Sequence, residues 1–78
     1  MSGSKQQVVR IIRDRITNGE YQPGRRIPSQ SEMADELGVP SRVVGHAIAD
    51  LRESGYLSTL PHKGSYTRPP ECWPESMA

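Results

Sequence analysis

The chain has 78 residues, 33% of them hydrophobic, and a net charge of +1, so it supports one small domain with little room for an enclosed catalytic pocket. Its one cysteine, Cys72, excludes an internal disulfide. Because no apolar run reaches the roughly 18 residues that cross a bilayer, we expect a cytoplasmic protein that does not enter a membrane.

One predicted helix occupies the N-terminal part of the chain. Apolar residues recur at spacings of three and four over residues 8–16, which is typical of a helix with one buried side. The pattern predicts a helix over Lys5–Thr17 that ends at Asn18-Gly19. The next residues, NGEYQPGRRIP, are too rich in Gly and Pro for a helix and predict a loop, with a short extended piece near Ile27.

A second helix is predicted to begin after Ser29. Ser29 and Glu32 have the S-x-x-E spacing of a capping box, in which each side chain accepts a hydrogen bond from the backbone N–H of the other residue. The helix should end at Gly38, because a residue without a Cβ readily adopts the left-handed conformation of a helix terminus. Its buried side is predicted to comprise Met33, Ala34 and Leu37.

A third helix should follow a tight corner at Val39-Pro40-Ser41. It is predicted to start at Pro40 or Ser41 and to close at Ser54-Gly55. Apolar residues occupy positions i, i+3, i+4 and i+7, which is the pattern of one buried face. They are Val44, Ala47, Ile48 and Leu51.

After the third helix the period of the pattern changes to two. YLSTL and SYTR, separated by PHKG, predict two short strands joined by a turn that contains Gly64. Beyond Arg68 there are three prolines in ten residues and no periodicity. We therefore expect a folded domain over residues 5–68, with flexible ends at 1–4 and 69–78.

This order of elements predicts a mainly α protein with a small β-hairpin, a winged helix-turn-helix. In that fold the second and third helices form a pair. The third helix can lie in the major groove of DNA, about 12 Å wide, while the second crosses the backbone. The hairpin, or wing, reaches neighbouring phosphates or the minor groove. Since no nucleophile motif, phosphate-binding loop or metal-ligand spacing is present, we expect no enzyme, no cofactor and no metal site.

Four motifs in a fixed order resemble the N-terminal domain of GntR-family bacterial transcription regulators. They are PGRRIPS at 23–29, ADELGV at 34–39, AIADLRESGYL at 47–57 and KGSY at 63–66. Each motif alone is weak, but their ungapped spacing from Tyr21 to Thr67 is specific. The resemblance implies sequence-specific binding of double-stranded operator DNA by a homodimer at the nucleoid, without catalysis. It further implies a repressor. Full-length members carry a C-terminal effector domain, whereas this sequence stops at Ala78 with no small-molecule effector site evident, so we expect either a stand-alone regulator or an excised DNA-binding domain.

The chain departs from the family where bases are contacted. The family usually places arginine at the positions of Ser31, Ser41 and Gly45, whereas Arg42 stands one place along from a usual arginine and Val43 replaces a threonine. The scaffold is therefore expected to transfer better than the individual contacts. Candidate contacts to DNA from the two helices are Ser31, Ser41, Arg42, Val43, Gly45 and His46.

Gly45 allows two interpretations, although it costs about 1 kcal/mol relative to Ala in a helix interior. The missing side chain could let the helix approach the base edges, with Val43 against a thymine methyl and Arg42 against a guanine. Alternatively, Gly45 marks a lost contact. His46 is expected to donate to a phosphate or base, and the alternative is a solvated side chain.

Phosphate contacts are expected from both flanks of the third helix. The helix N-terminus at Ser29 attracts phosphate through its free N–H groups, and Arg26 is a cation in the preceding loop. In the wing, Gly64 allows the backbone to lie near the sugar–phosphate chain, and Lys63 can neutralise a phosphate. The neighbouring residues that complete the predicted wing contacts are His62 and Ser65.

Few basic contacts remain for DNA, since Arg10, Arg13 and Arg15 of the first helix are expected to face solvent. A monomer should therefore bind weakly, and a dimer on a pseudo-palindromic site would compensate. The alternative hypothesis is a winged-helix module for protein–protein interaction that has lost its DNA contacts.

Overall fold

The fold is a three-helix domain that ends in a β-hairpin. A computed structural model describes residues 4–60 and 64–74. The predicted mainly α winged helix-turn-helix with a small β-hairpin is confirmed. In chain order the elements are α1 (Lys5–Thr17), α2 (Gln30–Leu37), α3 (Ser41–Ser54), β1 (Leu57–Leu60), β2 (Gly64–Thr67) and a short 3-10 helix (Pro70–Cys72).

Helix α1 has the predicted bounds and one buried stripe. Ser4 caps its start, since the Ser4 side chain accepts a hydrogen bond from the backbone N–H of Gln7. Asn18 follows the last turn, and its backbone N–H donates to the carbonyl of Asp14. The stripe that packs into the core comprises Val8, Ile12 and Ile16.

Helix α2 begins with the predicted capping box. The Ser29 Oγ accepts from the backbone N–H of Glu32 at 3.1 Å, and Glu32 Oε1 accepts from the backbone N–H of Ser29 at 3.0 Å. Gly38 ends the helix with φ +69°, the left-handed conformation that the sequence predicted. Met33 is fully buried, whereas Ala34 and Leu37 are partly buried against the same core.

Helix α3 packs on both α1 and α2 and supplies the centre of the core. Pro40 is its N-cap and Gly55 its left-handed C-cap, so the predicted bounds are confirmed. Ile48 is only half-buried, because it lies at the margin of a cleft described below. The residues of α3 that are fully enclosed are Val44, Ala47 and Leu51.

The hairpin pairs β1 and β2 in antiparallel register, with Leu57 opposite Thr67 and Leu60 opposite Gly64. The loop that precedes α2 lies along the other edge of β2. There the backbone N–H of Ile27 donates to the Ser65 carbonyl at 3.0 Å, which confirms the extended piece predicted near that residue. The wing is therefore attached to the loop by backbone hydrogen bonds as well as to α3 by the chain.

The residues after Arg68 differ from the sequence expectation of a flexible tail. Pro70–Cys72 form the 3-10 helix, and Trp73 packs on the core. The indole Nε1 donates to the carbonyl of Arg68 at 2.8 Å, and its ring lies 6.1 Å from the ring of Tyr56. The segment docks despite its prolines because the indole ring covers apolar surface while its N–H still donates a hydrogen bond, to the Arg68 carbonyl. Residues 1–3 and 75–78 lie outside the described part of the chain.

Within the two described ranges, no helix combines the length and the apolar character needed to span a bilayer.

Candidate nucleic-acid interface

A cleft of about 480 Å³ lies between α2, α3 and the hairpin. Its walls come from the loop before α2, the N-terminus of α2, the outer side of α3 and the inner side of the wing. Five residues that the sequence indicated as candidate contacts line this cleft. They are Arg26, Ser29, Gly45, Gly64 and Ser65.

The N-terminus of α2 supplies one wall. Its first N–H groups have no carbonyl acceptor within the helix, so they favour an anion at this end. The capping box uses two backbone N–H groups here, those of Ser29 and Glu32. The Glu32 carboxylate accepts a hydrogen bond from the Ser29 backbone N–H, and this bond is the main reason why the pKa of that carboxyl is lowered. The Ser29 side chain lowers it further. Ser31, on the same turn, is exposed and does not line the cleft.

Gln30 and Gly45 both line the cleft and contact each other there. The sequence did not indicate this contact. A Cβ built on Gly45 would lie 3.0 Å from the carbon, nitrogen and oxygen of the Gln30 side-chain amide. The same amide donates through Nε2 to the Ser41 carbonyl at 2.8 Å. Gly45 therefore has a packing role that neither sequence interpretation considered, which is to leave room for Gln30 over the face of α3.

The first turns of α3 project from the end of the cleft. Ser41, Arg42 and His46 are exposed there, as predicted for an outer arc, although none of them lines the cleft. Val43 differs from this description, because it is partly buried and packs against the core. Its predicted contact with a thymine methyl would have to use the part of the side chain that remains accessible.

The wing borders the cleft on the other side. Gly64 has φ +96°, and a Cβ at that position would lie 3.1 Å from Cδ of Arg26. Arg26 therefore extends along the start of β2, where its charge is close to the wing. Ser65 is partly buried, and its Oγ lies 3.3 Å from Oγ1 of Thr59. The predicted contacts of His62 and Lys63 lie outside the described residues.

Two arginines occupy positions that the sequence did not reveal. Arg52, in the last turn of α3, lines the cleft and adds a second cation to that of Arg26. Its spacing of seven residues from Gly45 could have suggested a shared side of α3. Arg15 was expected to face solvent, yet it lies at the junction of α1 and α2, where its guanidinium contacts Glu36.

The family of the chain follows from comparison with known proteins. Residues 4–66 match the family described as bacterial regulatory proteins, gntR family. The chain belongs to this gntR family. The match covers all three helices and most of the hairpin, and it confirms the resemblance seen in the four sequence motifs.

Relatives of known name and structure agree with this assignment to the gntR family. The chain is 35% identical over 72 residues to the uncharacterized HTH-type transcriptional regulator YurK of Bacillus subtilis, covering 92% of this chain and 30% of YurK. It is 31% identical over 65 residues to the HTH-type transcriptional repressor NagR of the same species, covering 83% of this chain and 27% of NagR. The chain thus spans less than a third of the length of these relatives.

A solved structure of similar fold is AraR(DBD) in complex with operator ORE1. The two structures superpose with a TM-score of 0.79 at 28% sequence identity, over 86% of this chain and 82% of that chain. The fold of the chain is therefore similar to that of a DNA-binding domain solved in complex with an operator.

Proposed function

We propose that the chain binds double-stranded operator DNA in a sequence-specific way and represses transcription in the cytoplasm. The main support is the arrangement of the cleft, in which the N-terminus of α2, the outer side of α3 and the wing border one concave surface. Two arginines, Arg26 and Arg52, lie on its walls. The name of NagR and the operator complex of AraR(DBD) give this assignment independent support.

Helix α3 is proposed to enter the major groove with its N-terminal turns leading. In helix-turn-helix proteins the first residues of the second helix contact the base edges while the first helix crosses the backbone. The exposed positions of Ser41, Arg42 and His46 fit that role. The N-terminus of α2 would then meet a phosphate through its free N–H groups, and Arg26 would meet a phosphate nearer the wing.

A homodimer is proposed as the DNA-binding unit. Phosphate neutralisation supplies much of the affinity of such proteins. Among the described residues, the cleft and the leading turn of α3 offer three arginines, Arg26, Arg42 and Arg52. Two copies on a pseudo-palindromic site would double the number of these cations on one duplex and make the second contact intramolecular. The spacing of the half-sites would then equal one helical turn or a multiple of it.

Titration of the chain with a fluorescent duplex at several salt concentrations tests the proposal. We expect binding that weakens as salt rises, because each neutralised phosphate releases counterions. Arg42→Ala should weaken binding, by about 1–3 kcal/mol if it removes a base contact. A base contact would show as relaxed specificity at one base pair, and a phosphate contact as a lower salt slope with a uniform loss across sequences. Arg13→Ala is the matched control, since Arg13 is exposed on α1 and does not line the cleft.

A folded chain that binds neither random nor selected duplexes at low salt would contradict the proposal. That result would favour the protein-interaction module instead. The observation behind this second candidate is that Ser31, Ser41 and Gly45 stand where related chains usually have arginine. A retained protein partner in a pull-down, together with the absence of duplex binding, would then be the expected outcome.

A further inference from the structure

We propose that Gln30 determines base specificity at the centre of the interface and that Gly45 is the residue that makes room for it. The proposal rests on the proposed DNA-binding function and names a contact within it. Gln30 is the first residue of α2, yet its side-chain amide lies over the outer face of α3. The Gln30 amide of α2 thus lies where a side chain at position 45 of α3 would otherwise lie.

The contact between the two helices fixes where the amide lies. With hydrogen in place of a side chain at Gly45, the three terminal atoms of Gln30 occupy the position that a side chain would take, 3.0 Å from a built Cβ. Glycine weakens a helix interior relative to alanine. The space that Gly45 leaves for Gln30 is a reason for a glycine at this point of α3.

A hydrogen bond fixes the orientation of the amide. The Ser41 carbonyl can only accept, so the nitrogen of Gln30, rather than its oxygen, must face it, and the observed distance is 2.8 Å. This bond uses one of the two amide hydrogens. The proposed base contact requires the bond to Ser41 to use the hydrogen that lies trans to the amide oxygen. The hydrogen cis to the oxygen then forms, together with that oxygen, an adjacent donor and acceptor on an exposed residue that lines the cleft.

An adjacent donor and acceptor match the major-groove edge of adenine. Adenine offers an acceptor at N7 and a donor at N6, whereas guanine offers acceptors at both N7 and O6. A glutamine amide bonds to the first edge through two hydrogen bonds and cannot do so with the second. An arginine at position 45 would have the opposite preference. The chain should therefore select an A·T pair opposite Gln30.

The test is selection from a randomised DNA duplex pool with the full 78-residue chain, followed by titration of the selected duplex and its single-base variants. Wild type should prefer adenine over guanine at one position of each half-site by roughly tenfold or more. Gln30→Ala should lose that preference and keep those at other positions. Since Gln30 is exposed, this variant should still fold. Gln7→Ala, at an exposed position of α1, is the matched control.

Gly45→Ala supplies a second, independent variant. Its new Cβ would lie 3.0 Å from the Gln30 amide, which must then shift by a few tenths of an ångström. The preference should therefore fall at the same base pair as in Gln30→Ala, by less than in that variant, although alanine favours the helix. The double variant should show no loss at that base pair beyond that of Gln30→Ala, because both changes act on one contact.

Three results would overturn the inference. The first is that Gln30→Ala keeps all the base preferences of wild type. The second is that Gln30→Ala loses affinity equally for all duplexes. A change in Gly45→Ala at a different base pair would separate the two residues. If wild type bound no duplex at all, the proposed function would fail together with this inference, whereas selective binding with an indifferent Gln30→Ala would overturn this inference alone.

Discussion

At the start of α2, Ser29 and Glu32 cap each other through two reciprocal hydrogen bonds. The carboxylate accepts better than the protonated acid, so the hydrogen bond that it accepts from the Ser29 backbone N–H, and then that from the Ser29 side chain, hold the pKa of Glu32 below its ordinary value. A group whose pKa is lower in the folded state stabilises the fold above its unfolded pKa, and this contribution is lost as the pH falls through the folded-state pKa. The capping box is therefore a device that acid weakens.

The pH dependence of unfolding should reveal this contribution. As the pH falls from the ordinary Glu pKa of about 4.3, wild type should lose free energy of unfolding, and Glu32→Gln should lose less over the same interval. Urea denaturation followed by circular dichroism at a series of pH values measures the difference. Parallel curves for the two proteins across that interval would show that Glu32 has no such role.

Single residues also show where sequence information stops. The capping box was predictable because Ser29 and Glu32 interact within one turn, at a spacing that helix geometry fixes. The contact of Gln30 with Gly45 was not, because it depends on how closely α2 and α3 cross. For the same reason Gly45 was interpreted as an approach to DNA or a lost contact, when the structure shows a neighbour above it.

Between elements, Arg15 joins α1 to α2 and to the loop. Its guanidinium donates to Tyr21 Oη at 2.9 Å and to Glu36 Oε1 at 3.1 Å, and its side chain is only 20% exposed. The hydrogen bonds with Glu36 and then Tyr21 raise the pKa of Arg15 above its ordinary value. The pattern of α1 could not show this, because Arg15 lies beside the buried stripe and its partners come from later in the chain.

Arg15→Ala should lower the free energy of unfolding by about 1 kcal/mol, since it removes the ion pairs with two exposed carboxylates, Glu20 and Glu36, and the hydrogen bond to the hydroxyl of Tyr21. Thermal or urea denaturation measures the loss. Arg13→Ala, an exposed change on the same helix, should stay within about 0.5 kcal/mol of wild type. Equal stabilities of the two variants would indicate that the α1–α2 junction does not depend on the ion pair.

The hairpin illustrates a different limit of prediction. Period-two patterns in YLSTL and SYTR were sufficient to predict two strands. The first strand starts one residue later than its pattern, and the second starts and ends one residue earlier than its pattern. They do not indicate which backbone lies at the free edge of a strand. That edge of β2 pairs with the loop before α2, at Ile27 and Arg25, and this pairing places Arg26 next to the wing.

At the scale of the whole molecule, the C-terminal segment extends the core. Of the residues that the structure describes, eleven are buried in that core, and the partly buried residues packed on it include Trp73. In so small a domain an added aromatic ring is a large share of the apolar surface removed from water. Composition alone indicated a tail rich in proline, because docking depends on the surface that Tyr56 and the chain near Arg68 offer.

Trp73→Ala should therefore lower the free energy of unfolding by about 2 kcal/mol. Circular dichroism during urea denaturation measures the change. Trp73→Phe should lose less, since it keeps an aromatic ring beside Tyr56 while it removes the donor to the Arg68 carbonyl and part of the apolar area. A Trp73→Ala protein as stable as wild type would mean that the segment does not contribute to the fold.

The docked indole also gives the protein an intrinsic fluorophore. Since Trp73 is the only tryptophan of the sequence, all indole emission comes from the place where the C-terminal segment meets the base of the hairpin. Emission at short wavelength reports the segment in place, and a shift to the red reports its release. Detachment of that segment can thus be timed separately from the melting of the helices, without any added label.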